Sequence, residues 1–247
     1  MKCRLPVIIL TLQLVATSAV RIYADEYRTF TNTDFRKIVA KPVDVVGKQF
    51  KIQLRDGREF TIDKSILIEQ DQIFLLEWAC AYLANQQRLL EISAEPTIDS
   101  NQQLPAGDPS TTGTEPENST LHTKFASGYT VAIANLSELE LSDLTVNYIL
   151  ISEKFQPRKE GHRTNAYSGK IGKETIKHLA GKGIYTFTTK TIAADTVEHP
   201  GAVDPINSQE FHENHLAGIQ VKIFKNEILI CTYMTPPELF ESLRSDQ

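Results

Sequence analysis

The sequence predicts a mainly β protein of two modules, a small barrel closed by a helix and then a β-sandwich. Three observations carry this. Residues 27–78 pack short alternating runs, an Asp56-Gly57 turn and a stretch of helical period into one compact segment. Residues 94–122 are rich in Pro, Ser and Thr and poor in large apolar side chains, the composition of a disordered tether. Residues 123–247 hold alternating runs at short intervals with no sustained helical period.

The bounds agree with that division. A chain of 247 residues suits two modest domains better than one large one. Its hydrophobic content of 41% is enough for two cores, and its net charge of −5 argues against a nucleic-acid binder, which needs surplus Lys and Arg for phosphates. Residues 1–24 have the pattern of a secretory signal peptide. Lys2 and Arg4 precede an apolar run over 5–20, and Ala19 and Ala24 are candidate cleavage points. The run is short for a membrane span of roughly 20 residues and is interrupted by Thr, Gln and Ser. The expected product is an exported protein, periplasmic or extracellular, with no stable membrane span after cleavage. Cys3 precedes the apolar run and is not placed to carry a lipid. Cys80 and Cys231 remain, in different modules, and are expected as two buried thiols.

The first module, with its helix, occupies 27–93. Residues 28–31 begin a strand, and 36–45 continue with Ile38, Ala40 and Val43 on one side; Pro42 marks an edge or a bulge. Phe50, Ile52 and Leu54 alternate with Lys51, Gln53 and Arg55, and Phe60 and Ile62 resume the alternation after Asp56-Gly57. That turn needs a positive φ, which glycine accepts without strain. From Glu69 the period becomes helical through Ile73, Phe74, Glu77, Trp78, Ala81 and Tyr82. Glu69 and Asp71 stand at the helix N-terminus, where negative charge is favourable.

Arg28-Thr-Phe30-Thr, Gly47, Ile52-Gln-Leu54-Arg-Asp56-Gly57, Phe60-Thr-Ile62 and Leu67-Ile-Glu-Gln-Asp71-Gln-Ile-Phe74, in that order, resemble the first homology domain of the Sla endocytic adaptor, a domain that recurs in exported bacterial proteins. The resemblance implies a Src-homology-3-like barrel that binds short peptides, with Phe30, Phe50, Phe60 and Trp78 as its candidate binding face. Phe30 stands where that family usually has Trp.

In the second module Tyr129, Val131 and Ile133 alternate, then Leu144, Val146, Tyr148 and Leu150. Residues 184–189 form a strand with Tyr185 and Phe187 on one face. Residues 216–224 and 228–234 make a final hairpin across Lys225-Asn226-Glu227, and 238–243 a short helical turn. This is the spacing of an immunoglobulin- or fibronectin-like sandwich. Leu144-Thr-Val146-Asn-Tyr148 and the closing Tyr233-Met-Thr-Pro236 resemble a sandwich of exported bacterial proteins, a likeness that implies no particular activity.

Candidates for chemistry are few. His212-Glu-Asn-His215, with Glu198, His199 and Asp204 upstream, offers imidazole and carboxylate to a divalent metal. The spacing is not that of a zinc-protease helix, and the plainer expectation is a solvated loop. Lys154, Arg158, Lys159, His162, Arg163 and Lys170, interleaved with Phe155 and Tyr167, read as a basic loop between strands that could meet an acidic partner. No phosphate loop, nucleophile elbow or paired-cysteine motif is present. The leading expectation is therefore a non-catalytic, cofactor-free exported protein that binds a protein or peptide. The alternatives are a metal-dependent hydrolase using His199, Asp204, His212 and His215, or a glycan-binding sandwich.

Overall fold

The structure, a computed structural model, describes residues 26–99, 121–157, 163–198 and 211–245. The expected export segment and most of the expected tether lie outside these residues. The fold is mainly β, in two compact units. Among the described residues the first comprises 26–44 and 49–81, and the second 45–48 and those from 82 onward.

Four strands, in the first unit except for residues 45–48, run as an antiparallel meander: β1 (Arg28–Thr31), β2 (Lys37–Val46), β3 (Gln49–Leu54) and β4 (Glu59–Ile62). Gly47 makes the β2–β3 turn at φ +61°. A 3₁₀ turn, Lys64–Ile66, follows, and a bridge between Asn32 and Leu67 ties the chain back to the end of β1. Helix α1, Glu69–Asn85, comes next. The alternation seen in β3 is observed in its burial: Phe50 and Ile52 are buried, while Lys51 is partly exposed and forms an ion pair with Glu59 across the hairpin. Phe30, Ala40 and Leu75 are fully buried with them.

The second unit holds β5 (Leu90–Asp99), β6 (Leu121–Asn135), β7 (Leu141–Pro157), β8 (Arg163–Leu179), β9 (Ile184–Thr188), β10 (Ile192–Glu198), β11 (Phe211–Lys225) and β12 (Ile228–Thr235), then helix α2 (Pro237–Ser245). All the pairings are antiparallel, along the path β5-β6-β10-β11-β7-β8. Strand β10 pairs with the start of β6 and of β11. Further along, β6 takes β9 as its neighbour and β11 takes β12. One continuous sheet at one end thus divides into two layers, β5-β6-β9 and β12-β11-β7-β8. The core is the alternate set of side chains on the long strands: Val131 and Ile133, Leu144, Val146, Tyr148 and Leu150, and Ile219, Val221 and Ile223.

Two expectations are corrected. Residues 94–99, assigned to the tether, are the second half of β5 and pair with β6 as far as Asp99–Ala126. Pro96 misleads because proline usually ends a strand; here β5 lies at the end of the sheet path, where a missing N–H costs no ladder bond. The basic segment expected as a loop is instead the end of the β7–β8 hairpin, paired out to Pro157–Arg163. Arg158, Lys159 and His162 lie outside the described residues.

Candidate functional site

The expected aromatic face does not form as a unit. Phe30, Phe50 and Trp78 are buried and belong to the core; only Phe60, 43% exposed, can meet a ligand. Aromatic residues in a small barrel are needed first for packing, since each buried ring contributes about 1.5–3 kcal/mol through burial.

The exposed apolar side chains of this unit that share a built framework lie elsewhere, on the β1–β2 turn and the 3₁₀ segment. Phe35 is 80% exposed and Ile66 46% exposed. Hydrogen bonds lock their two loops together. Thr33 N–H donates to the Ile66 carbonyl at 2.9 Å, and Ile68 N–H to the Thr31 carbonyl at 3.0 Å. Asp63 Oδ1 caps the 3₁₀ segment by accepting Ser65 N–H at 2.8 Å. That bond, with the Ser65 side chain, holds the Asp63 carboxyl below its ordinary range.

The framework is anchored beneath by Asp71. Its carboxylate, buried in the first turn of α1, accepts Thr31 N–H at 2.7 Å and Arg28 Nη2 at 2.6 Å. The Arg28 guanidinium lies 3.7 Å from the centroid of Phe74, whose ring packs at 6.0 Å from Phe30. Charge, cation–π contact and core packing thereby fix β1 to α1. Gln72 adds a bond from Nε2 to the Leu67 carbonyl at 2.8 Å.

The turn itself is a three-residue hairpin loop. Asn32 N–H donates to the Arg36 carbonyl and Phe35 N–H to the Asn32 carbonyl, both at 2.9 Å, while Asn32 Oδ1 accepts Arg36 N–H at 2.7 Å. Such a loop needs a left-handed residue at its last position, normally glycine. Here that residue is Phe35, at φ +61°. A bulky side chain in this conformation costs about 1–2 kcal/mol. The sequence signal was present in Asn32-Thr33-Asp34 before the β2 alternation, turn formers at hairpin spacing, but without a glycine it does not stand out.

The other candidates are placed as follows. His215 lies in β11, not in a loop, and its Nε2 is 3.0 Å from Glu153 Oε2. Tyr167 donates its hydroxyl to Glu153 Oε1 at 3.0 Å, so His215, Glu153 and Tyr167 form a polar row in register across β11, β7 and β8. His212 sits in β11 opposite Thr196; His199 and Asp204 lie outside the described residues. Among the described residues no three His, Cys, Asp or Glu side chains gather as a metal-holding group. Lys170 donates to the Thr191 carbonyl at 2.7 Å. Cys80 and Cys231 are both thiols, but only Cys80 is buried as expected; Cys231 is half-buried. Burial pushes the Cys231 thiol up, away from the thiolate that nucleophilic chemistry needs. No helix among the described residues is long and apolar enough to cross a membrane.

No protein-family model matches the chain. No curated protein matches it in sequence either. Among solved structures, one described as "X-ray structure of Northeast Structural Genomics Consortium target SoR45" aligns with 63% of this chain and 91% of its own, at 13% identity and a TM-score of 0.27. At that TM-score it carries no argument about fold or function.

Proposed function

We propose that the protein is a non-catalytic, exported interaction protein whose first unit binds a short peptide at the rim formed by Phe35 and Ile66. The observation that carries this reading is Phe35 itself: a large aromatic side chain, 80% exposed, held in a backbone conformation that disfavours it. Folding alone favours glycine at that position and solvent favours a polar side chain, so the aromatic ring is kept at a cost to both. Exposed aromatic anchors on a rigid frame are the usual carriers of peptide and protein affinity. The Asp71 anchor and the paired loops supply that frame, which limits the entropy lost on binding.

The resemblance to the Sla homology domain supports a peptide as the ligand class, and the pattern of residues 1–24 supports export as the setting. The ligand expected is a peptide with one aromatic or aliphatic side chain to stack against Phe35 and Ile66. Selection of phage-displayed random peptides on the full chain tests this. Peptides with such a side chain should be enriched, and Phe35→Asp should weaken them at least about ten-fold, a loss near 1.4 kcal/mol. Peptides that bind Phe35→Asp and the unaltered chain equally would refute the site.

A further inference from the structure

In the second unit a cleft of about 390 Å³ lies where the end of α1 and the start of β5 face β12. Ala84, Leu90 and Ile92 wall one side of it, and Ile230, Cys231 and Tyr233 the other. Leu90, Ile92 and Ile230 are buried elsewhere along their surfaces, so the cleft opens onto the apolar side chains of a packed core.

Both walls are held by backbone. β5 pairs with β6 from Leu90 to Asp99, and β12 pairs with β11 up to Thr235. Helix α1 ends in two bonds, Gln87 N–H to the Ala84 carbonyl at 3.0 Å and Arg88 N–H to the Leu83 carbonyl at 2.8 Å. This is the closure that places a left-handed residue just after a helix, normally glycine. Here that residue is Gln87, at φ +55°, and it lines the cleft. Its amide offers both donors and an acceptor at an otherwise mainly apolar surface.

Charge and size select the occupant. Charged side chains make up 23% of the chain, yet none of the described residues lining this cleft carries a charge. An ion placed there would lose hydration with no opposite charge to replace it. A strand is too large: four residues, roughly 13 Å long, 10 Å deep and 4.8 Å wide, occupy about 600 Å³. The cleft instead falls near the small end of the roughly 300–1,000 Å³ of small-molecule pockets. We infer that it binds a small uncharged molecule with an apolar body and one hydrogen-bonding group. The body lies against Leu90, Ile92 and Ile230, and the polar group meets Gln87.

Titration of the full chain with N-phenyl-1-naphthylamine tests the inference. That probe is uncharged, carries a single N–H and brightens on leaving water. It should bind saturably. Ala84→Phe, which puts a ring into the cleft from a half-buried position, should weaken binding at least about ten-fold, whereas Phe35→Asp should leave it unchanged. 1-Anilinonaphthalene-8-sulfonate, the same skeleton with a charge added, should bind at least about ten-fold more weakly. With the first probe at ten times its dissociation constant, alkylation of Cys231 by iodoacetamide, read by peptide mass, should slow about ten-fold. That measurement uses the unaltered chain, so it stands even if Ala84→Phe fails to fold. No saturable binding, equal binding by Ala84→Phe, or unchanged alkylation of Cys231 would each overturn the inference. Equal affinity for the sulfonate would overturn the uncharged ligand class. Binding lost through Phe35→Asp would put the probe at the rim, overturning the cleft as its site while leaving the proposed function in place.

Discussion

The first unit contains the same hairpin loop twice. In the β3–β4 turn, Leu54 N–H donates to the Arg58 carbonyl at 2.8 Å and Gly57 N–H to the Leu54 carbonyl at 3.0 Å. The β1–β2 turn has the same two bonds between Asn32, Phe35 and Arg36. Each loop has three residues, and the last is left-handed, with φ +87° at Gly57 and +61° at Phe35. Each is trimmed by a side-chain carbonyl or carboxylate, Asn32 in one and Asp56 in the other. The difference is confined to the position where glycine is favoured. One turn follows the backbone's preference; the other departs from it and holds an aromatic ring in solvent. The lesson is that the backbone alone accounts for the residue at the last position of the β3–β4 turn but not for the one in the β1–β2 turn, which is the ground of the proposed recognition role.

The largest effect expected comes from removing what the β1–β2 turn rests on. Asp71→Ala strands Thr31 N–H and, among the described residues, leaves Arg28 with its aromatic contacts. It should cost the first unit about 2–4 kcal/mol, since the loss of one partner exposes the desolvation of the other. Denaturant unfolding followed at Trp78, in this unit, should report it. The β3–β4 turn contains no element of that anchor, so disabling it sharpens the contrast. Gly57→Val, a β-branched residue at positive φ, should cost about 1–2 kcal/mol and leave peptide binding at the rim unchanged.

Phe35→Gly is the reverse substitution. It removes the strain and should leave stability unchanged or raise it by up to about 1 kcal/mol, the residual entropy of glycine offsetting part of the gain. A rise in melting temperature together with a loss of binding would mark a residue held for recognition. The smallest effect concerns pH. The Asp63 carboxyl is depressed in the folded chain by its bonds to Ser65, so its contribution is present above the ordinary carboxylate value of 3.8 and is lost as pH falls through the folded value. Asp63→Asn should flatten the acid limb of a urea-midpoint against pH curve for the first unit, with a small loss at neutral pH and no change once pH is below the folded value.

How much of this was legible in the sequence depends on whether a local signal matched a local cause. The Asp56-Gly57 turn and the Asn226-Glu227 turn, both of whose residues have positive φ, are where turn chemistry placed them. The alternation of Leu144, Val146, Tyr148 and Leu150 is the buried face of β7. What was hidden depends on partners distant in sequence. Strand β5 is recognisable only once β6 is beside it, and the basic segment is a hairpin only because Glu153 and Ser152 face Tyr167 and Ser168 across it. The candidate site was missed for a related reason. Phe30, Phe50 and Trp78 look like a binding face on composition, but exposure is a property of the packed unit. Nothing in the sequence separates a core phenylalanine from Phe35 except its place three residues after Asn32 in a turn without glycine.

The most direct test is a titration of the Phe35→Gly chain with peptides selected on the unaltered protein. If Phe35 is kept for recognition, affinity falls at least about ten-fold while the fold is as stable as before or more so. Equal affinity for the two chains would show that the ring plays no part in binding, and the reading of the β1–β2 turn as a recognition site would be wrong.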